Sequence, residues 1–228
     1  MQPDPNETCW TVLRAAADGD TSARSAFARS YGTPIKAYLR HRWAGNVLLD
    51  DVDDAAQESF VEAFKPGGVI ERADQEQGDF RALLYGVVRN VARRFEERQS
   101  KASQRKGGES IHLDDLPHDA LALSKAFDRA WARSLMREAL KQHEEAAQGD
   151  PVADRRFRVM SMRHDDGMPI REIASALGES DHAVIHNDYR QSRRAFTAHL
   201  RQVVARHTGA KGADVDVECE RLFELLGT

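Results

Sequence analysis

Cysteine is almost absent: Cys9 and Cys219 stand near opposite ends of the chain and match no metal-ligand spacing. That excludes a disulfide scaffold and fits a reducing compartment. No apolar run approaches the ~20 residues of a membrane helix, and the opening MQPDPNET is acidic, without the basic and apolar stretches of a signal peptide. The expectation is a cytoplasmic protein with no membrane contact. Phosphate-cradling loops are missing as well, because Gly67-Gly68 and Gly107-Gly108 are isolated pairs with no lysine-serine or lysine-threonine behind them. No nucleophile, base and orienting group form a set, so no catalytic residue and no cofactor is expected. A large charge of one sign is lacking too. With a net charge of −4 the molecule is no polycation, and any nucleic-acid binding must come from local patches or a partner.

What is present is a sharp reversal of charge at Phe80. Residues 50–64 read DDVDDAAQESFVEAF, with Asp50, Asp51, Asp53, Asp54, Glu58 and Glu62 and no basic residue. Residues 80–98 read FRALLYGVVRNVARRFEER, with Arg81, Arg89, Arg93, Arg94 and Arg98 against Glu96 and Glu97. Both stretches carry helical periodicity. Val52, Ala55, Ala56, Ser59, Phe60, Ala63 and Phe64 make one stripe, and Phe80, Leu84, Val87, Val88, Val91 and Phe95 make another. Burying the stripes together leaves an acidic face and a basic face for different partners, and arginines seek phosphate. An adaptor between a protein and a nucleic acid follows.

The rest of the pattern is also helical, with no convincing strand alternation. A first helix is expected over Thr11 to Tyr31, a break at Tyr31-Gly32-Thr33-Pro34, and a further helix over Ile35 to Trp43. Asp50 to Phe64 and Phe80 to about Lys101 are joined across Lys65-Pro66-Gly67-Gly68 and a polar loop, Glu71 to Asp79. From Ser100 to Asp119 the stripe disappears among glycines, a proline and scattered charge, as in a flexible linker. Leu123, Phe127, Ala130, Trp131 and Leu135 then open a second helical unit that runs on through Phe157, Val159 and Met160. The fold class is all-α, as two small helical domains joined by a linker.

The segment GMPIREIASALGESDHAVIHNDYRQSRRAF holds the most mechanistic motif. Pro169 suits a first helical turn, Ile170, Ile173, Ala174 and Leu177 make a buried stripe, and Gly178 supplies the C′ residue. Ser180 or Asp181 can cap the next helix, whose inner face is Ile185, Tyr189, Ser192, Phe196 and Leu200. That sends Ala183, Asn187, Arg190, Arg194 and Arg201 outward. The geometry is helix-turn-helix, with an amide and guanidiniums offered to a major groove. From Arg190 to Arg206 there are five arginines and no acid. The plainer alternative is a helical hairpin with a solvated basic face.

Other clusters have ordinary explanations. The aspartates at 50, 51, 53 and 54 form a helical run without the alternating ligands and turn glycine of a calcium loop. His182 and His186 stand at a spacing that can hold zinc, but no third ligand or glutamate base accompanies them. His143-Glu144-Glu145 lacks the second histidine of a metalloprotease motif, and Trp43 and Trp131 read as core residues. No metal is expected.

These motifs together resemble a family. DDVDDAAQESFVEAF is similar to the helix by which bacterial sigma factors grip RNA polymerase, and FRALLYGVVRNVARRFEER to the helix that holds the melted promoter element. EIASALG with DYRQSRRAF resembles the C-terminal helix-turn-helix that reads the upstream element. The order of motifs, over about residues 20–205, resembles the extracytoplasmic-function group. The resemblance implies a sigma domain 2-like part at 1–104, a linker at 105–122 and a sigma domain 4-like helix-turn-helix at 123–207; the acidic amphipathic extension at 208–228 lies outside its minimal two-domain pattern. It implies a polymerase-binding face at Asp54, Gln57, Glu58 and Val61. DNA contacts are implied at Tyr85, Arg89, Asn90 and Arg93, and at His182, Ala183, His186, Asn187, Arg190 and Arg194. Core RNA polymerase and promoter DNA are the implied partners, with an anti-sigma factor or other regulator as a further candidate. Two departures stand out. Leu83 occupies a place where many relatives carry tryptophan, and the spacing from Gly178 to Ile185 is one residue longer than usual, which bears on the base-reading register. Rival functions are a stand-alone helix-turn-helix regulator and a metal-dependent nucleic-acid enzyme built on the aspartates. In the extension, Val215, Cys219, Leu222, Phe223 and Leu226 form an amphipathic stripe that either completes the helix-turn-helix core or packs across it and restrains DNA binding.

Overall fold

The computed structural model describes residues 9–72, 80–105 and 120–227. The N-terminal MQPDPNET, most of the polar loop at 71–79 and nearly all of the expected linker lie outside the described residues, as does the Gly107-Gly108 pair. The described residues are all-helical, with no strand. In order they form α1 (Cys9–Ala17), α2 (Thr21–Arg42), a 3-10 turn (Val47–Asp51), α3 (Val52–Phe64), α4 (Val69–Arg72) and α5 (Phe80–Arg105). After them come α6 (Ala120–Ala147), α7 (Pro151–His164), α8 (Ile170–Ala176), α9 (His182–Thr208) and α10 (Asp214–Leu226). No described helix is long and apolar enough to cross a membrane. The chain divides into two compact units. Unit 1 comprises Met1–Ser134, Arg206–Gly209 and Glu220–Thr228, and unit 2 comprises Leu135–Ala205 and Ala210–Cys219.

The first break in the chain falls earlier than the sequence suggested. Asp20 caps α2, its carboxylate accepting from the Ala23 amide at 2.7 Å, so the helix restarts at Thr21 and not after Pro34. From there α2 runs straight through Gly32-Thr33-Pro34. Proline removes one backbone donor and costs about 3 kcal/mol in a helix interior. Phe27, Tyr31, Ile35, Tyr38 and Leu39 are all buried on one stripe across that point, and interrupting the helix would expose half of them. Burial of a large apolar side chain contributes roughly 1.5–3 kcal/mol, so the stripe outweighs the proline.

Unit 1 is built around Phe27. Its ring lies 4.7 Å from Tyr31, 4.9 Å from Phe64, 5.7 Å from Phe60 and 5.8 Å from Phe80, bringing α2, α3 and α5 together. The small stripe of α3 is buried as its periodicity required: Val52, Ala55, Ala56, Ser59 and Ala63, with the Ser59 hydroxyl donating to the Ala55 carbonyl at 2.8 Å. At its end Gly68 is obligatory, because a Cβ there would stand 2.5 Å from the Lys65 carbonyl oxygen and 2.8 Å from that of Ala63. Leu123, Phe127, Ala130 and Trp131 belong to unit 1 although their stripe read as the head of the second unit. Phe127 meets Tyr85 ring to ring at 5.7 Å, and the Arg81 guanidinium covers Trp131 at 4.6 Å while pairing with Asp128 at 3.5 Å.

One charged residue sits inside this core. Glu96, 4% exposed, accepts from Arg42 Nε at 2.6 Å and from the Trp43 indole at 2.9 Å through Oε1, and from Arg42 Nη2 at 2.8 Å through Oε2. The bond to Glu96 raises the Arg42 pKa, so the guanidinium stays charged, while burial pushes the neighbouring Tyr38 phenol up to about 12.

In unit 2, Val159 of α7, Ile173 and Ala174 of α8 and Ile185 of α9 form a buried cluster, flanked by Met162, Met168, Ile170, Leu177 and Tyr189. Asp188 is buried as well. Arg155 Nε approaches its Oδ2 at 3.0 Å and Arg156 Nε its Oδ1 at 3.4 Å, while Arg155 Nη2 donates to Glu179 at 3.0 Å. Elsewhere in the unit His143 of α6, 5% exposed, shares a 2.9 Å hydrogen bond with the Ser192 hydroxyl. Its ring meets Phe157 edge to face at 5.4 Å and lies tilted 5.5 Å from His199. Within α10, Val215, Cys219 and Leu222 are buried, whereas Phe223 is 38% exposed.

Removing the buried carboxylate strands three donors. Glu96→Ala is expected to cost about 3–5 kcal/mol in urea unfolding, and Glu96→Gln clearly less. Equal losses in the two variants would mean that shape, not the charge, matters at this position. The histidine pair predicts a pH dependence of opposite origin. Burial first, and each other's proximity second for His143, hold both imidazoles below their ordinary value. The folded state therefore favours the neutral rings. Stability is full above the unfolded value near 6.5 and falls as pH drops through and below it, by at most about 1.4 kcal/mol per pH unit for each histidine. Unfolding midpoints between pH 7.5 and 5.5 measure this, and His143→Phe with Ser192→Ala is expected to flatten the slope.

Candidate nucleic-acid interface

Helix α5 carries two stripes. The first, Phe80, Leu84, Val88 and Val91, is buried; the second repeats at the same spacing on the outside, through Leu83, Gly86, Val87, Asn90, Arg93, Arg94 and Glu97. That outer stripe forms one wall of a cavity of about 580 Å³. Glu62, Lys65 and Val69, from the end of α3 and the turn into α4, form the other wall. The cavity thus has apolar surface in Leu83, Val87 and Val69, an amide in Asn90, and cations in Lys65, Arg93 and Arg94. Apolar walls with a few placed polar groups suit a planar, hydrogen-bonding ring, and the cations suit the phosphates on either side of it.

Of the α5 residues expected to meet DNA, the structure brings Asn90 and Arg93 into this cavity. Arg89 is exposed on the flank and does not line it. Tyr85 is half-buried, with its ring 5.4 Å from Tyr38 and 5.7 Å from Phe127, and burial raises its phenol. It packs rather than protrudes. Arg89, Asn90 and Arg93 make no side-chain hydrogen bond or ion pair among the described residues.

The face of α3 expected to meet polymerase is partly open. Asp54 and Gln57 are exposed and Val61 is 60% exposed; Val47 and Leu49 of the 3-10 turn that precedes α3 are exposed too. Glu58 is different. It pairs with Arg98 at 3.1 Å and Arg94 at 3.2 Å, and Glu62 pairs with Arg94 at 3.2 Å. Residue numbers fall on α5 as they rise on α3, so the two helices are antiparallel. The charge reversal at Phe80 therefore does not yield an acidic and a basic face wholly separate from each other. Along one seam the two helices neutralise each other. The aspartates do not converge either: Asp53 is paired with Lys36 at 2.8 Å, whose bond lowers its pKa. Among the described residues no three histidine, cysteine or acidic side chains gather as metal ligands would.

In unit 2 a tight turn at 177–181 joins α8 to α9. Gly178 adopts φ +68°, a left-handed conformation that favours glycine at a C′ position. Asp181 supplies the cap, accepting from the Ala183 amide at 2.8 Å, and Glu179 is held by Arg155. Ile185, Ser192 and Leu200 point inward with Asp188, and His182, Ala183, His186, Arg190 and Arg194 are exposed. Asn187 is half-buried, and its amide oxygen accepts from Arg190 Nη2 at 2.8 Å, which orients that guanidinium. Arg193 lies over the Tyr189 ring at 5.8 Å. Arg201 is withdrawn from the outward set, since Asp216 of α10 pairs with it.

No protein-family model matches this chain, and no curated protein matches it. Function is read from the geometry. Three groups escaped the sequence reading: Glu96, Asp188 and the histidine pair at 143 and 199. Glu96 carried a signal, for it lies eight residues after Val88 and four after Ala92, on the edge of the buried stripe. A carboxylate at such a position implies a buried cation. Nothing comparable marked the pairing of Arg94 and Arg98 with α3.

Gly86 tests the cavity directly. A Cβ added there meets nothing within 4 Å, so the site has room for a side chain. Gly86→Ala is expected to stabilise α5 by about 0.5–1 kcal/mol, through the ordinary helix preference of alanine over glycine. Gly86→Leu fills the cavity and is expected to weaken capture of a single-stranded oligonucleotide at least several-fold while the protein stays folded. Undiminished strand binding by a folded Gly86→Leu protein excludes the cavity as the site.

Proposed function

We propose that this protein is a sigma-type transcription initiation factor that binds core RNA polymerase and directs it to promoters. One observation carries the reading. Acidic residues outnumber lysine and arginine by 37 to 33, yet Arg89, Arg93, Arg190 and Arg194 meet no carboxylate among the described residues. Two of these arginines lie on α5 and two on α9. Other arginines, Arg133, Arg137 and Arg171 among them, likewise meet no carboxylate among the described residues; what marks the four is their grouping on one helix face each, beside Asn90 and beside Asn187. Arginines so grouped suit phosphate.

The two pairs suit different forms of DNA. Beside Arg93 the cavity offers Asn90 and apolar surface to a base that has left its stack, which is a single-strand task. On α9 the exposed residues stand on a continuous helix after a tight turn, the shape that enters a major groove. Asn187 fixing Arg190 supports base reading there, because an oriented fork discriminates better than a mobile one. The outward Asp54, Gln57 and Val61 of α3, with Val47 and Leu49, suit a basic and partly apolar protein surface. A factor that reads a duplex, holds a strand and docks on a protein is what promoter opening requires.

Reconstitution with core polymerase tests the division of labour. Arg89→Ala with Arg93→Ala is expected to reduce strand opening, seen by permanganate reactivity, and to recover on a promoter melted in advance. Arg190→Ala with Arg194→Ala is expected to reduce recruitment to duplex promoter and the salt dependence of binding, and to gain little from pre-melting. Equal rescue of both pairs, or no promoter-dependent transcription with the wild-type protein, overturns the reading.

A further inference from the structure

Glu58 belongs to two arrangements that exclude each other. It stands on the α3 face assigned to polymerase, yet its carboxylate is already filled by α5. Oε2 accepts from Arg98 Nη1 and Oε1 from Arg98 Nη2, both at 3.1 Å, and Oε1 lies 3.2 Å from Arg94 Nη2. One turn further on, Glu62 Oε1 accepts from Arg94 Nη1 at 3.2 Å and Oε2 from Lys65 Nζ at 2.6 Å. Two carboxylates thus hold three cations.

The match to a phosphate contact is close. A carboxylate gives a guanidinium fork two anionic oxygens side by side, as a phosphate does. Glu62, Lys65 and Arg94 also line the cavity that contains Asn90 and Arg93, so the pairing occurs at the strand site itself. It is built to exchange. The Arg98 side chain is 60% exposed and that of Glu58 26%, and ion pairs in such surroundings are weak and easily replaced. Arg94 Nε is buried, so exchange involves its two terminal nitrogens, the ones that Glu58 and Glu62 now hold.

We propose that Glu58 and Glu62 act as an internal substitute for nucleic-acid phosphates, occupying Arg94 and Arg98 until a basic partner surface docks on α3 and takes over Glu58. This rests on the reading of α5 as the strand-binding helix and α3 as the polymerase-docking helix, and adds the regulation that couples them. The free factor then binds a single strand weakly. Docking withdraws Glu58, which frees Arg98 and leaves Arg94 held by Glu62 alone, so an incoming phosphate has a single carboxylate to displace there. Linkage requires the reverse as well: a bound strand frees Glu58 and strengthens docking.

The test uses the full chain and a fluorescent single-stranded oligodeoxynucleotide, titrated by anisotropy over a range of salt. Glu58→Gln with Glu62→Gln is expected to bind roughly three- to tenfold tighter than wild type. Its log affinity should fall more steeply with log salt by about 1.4, from about 0.7 for each added phosphate contact. Adding Arg94→Ala and Arg98→Ala to that variant should return both values to those of wild type. Asp18→Asn with Asp50→Asn controls for net charge, since both acids are exposed in unit 1 and neither holds an arginine. Equal affinity of wild type and the glutamine variant overturns the proposal, and so does equal tightening in the charge control. If the double variant proves unstable, Glu58→Gln alone carries the test, with half the change in slope. Arg89→Ala with Arg93→Ala separates the two ideas. Undiminished strand binding in that protein defeats the strand-binding reading. Lost binding there, with no gain from the glutamines, leaves that reading standing and rejects internal competition.

Discussion

Arg42 and Trp43 end helix α2 with donors that share one buried acceptor, the Glu96 carboxylate, and unit 1 is arranged around that bond. A carboxylate with 4% exposure is tolerable only when its oxygens are filled, and three donors between 2.6 and 2.9 Å fill them. The bond ties the C-terminal end of α2 to the C-terminal half of α5, while the aromatic cluster at Phe27 ties the helices near the start of α5. With both parts of α5 held, its rotation about its own axis is set. Leu83, Gly86, Asn90 and Arg93 then have no choice but to face the cavity. Hydrophobic packing alone would leave that rotation softer, because Val, Leu and Phe tolerate small slips that a bidentate fork does not.

The same sorting of arginines recurs in unit 2. Arg155 and Arg156 are drawn to Asp188, and Arg155 also to Glu179, so the turn between α8 and α9 is tied to α7. Arg201 is drawn to Asp216 of the tail, a contact compatible with either role considered for the extension. The guanidiniums that remain outside these bonds are the ones that define the exposed faces. In this protein a basic surface is made as much by what the acids leave alone as by where arginines occur.

The sequence was readable wherever contacts are local. Helical spacing located α3 and α5 and the burial of Val52, Ala55, Ala56 and Ser59, and turn chemistry located the turn between α8 and α9, down to Asp181 as one of two candidate caps. It was less readable wherever a residue's partner is remote. Glu96 and Arg42 are 54 positions apart, Glu58 and Arg98 are 40, and no periodicity reveals such a pair. Pro34 misled for a related reason. A proline is a local signal for a break, and the stripe from Phe27 to Leu39 that overrides it draws its strength from α3 and α5. Leu123, Phe127 and Trp131 showed correctly as an apolar face, but the aromatic and cationic groups that receive them, Tyr85 and Arg81, lie far back in the chain.

Cys219 adds a property of another kind. Its thiol is buried on α10, and burial pushes its pKa up, with a smaller opposing pull from Arg201. Only the thiolate reacts with electrophiles, so concealment and protonation suppress its chemistry together. Any motion that lifts the first turns of α10 removes both brakes at once. In a Cys9→Ser background the rate of alkylation at Cys219 becomes a molecular clock for the tail, counting its openings in the free protein and in whatever assembly the protein enters.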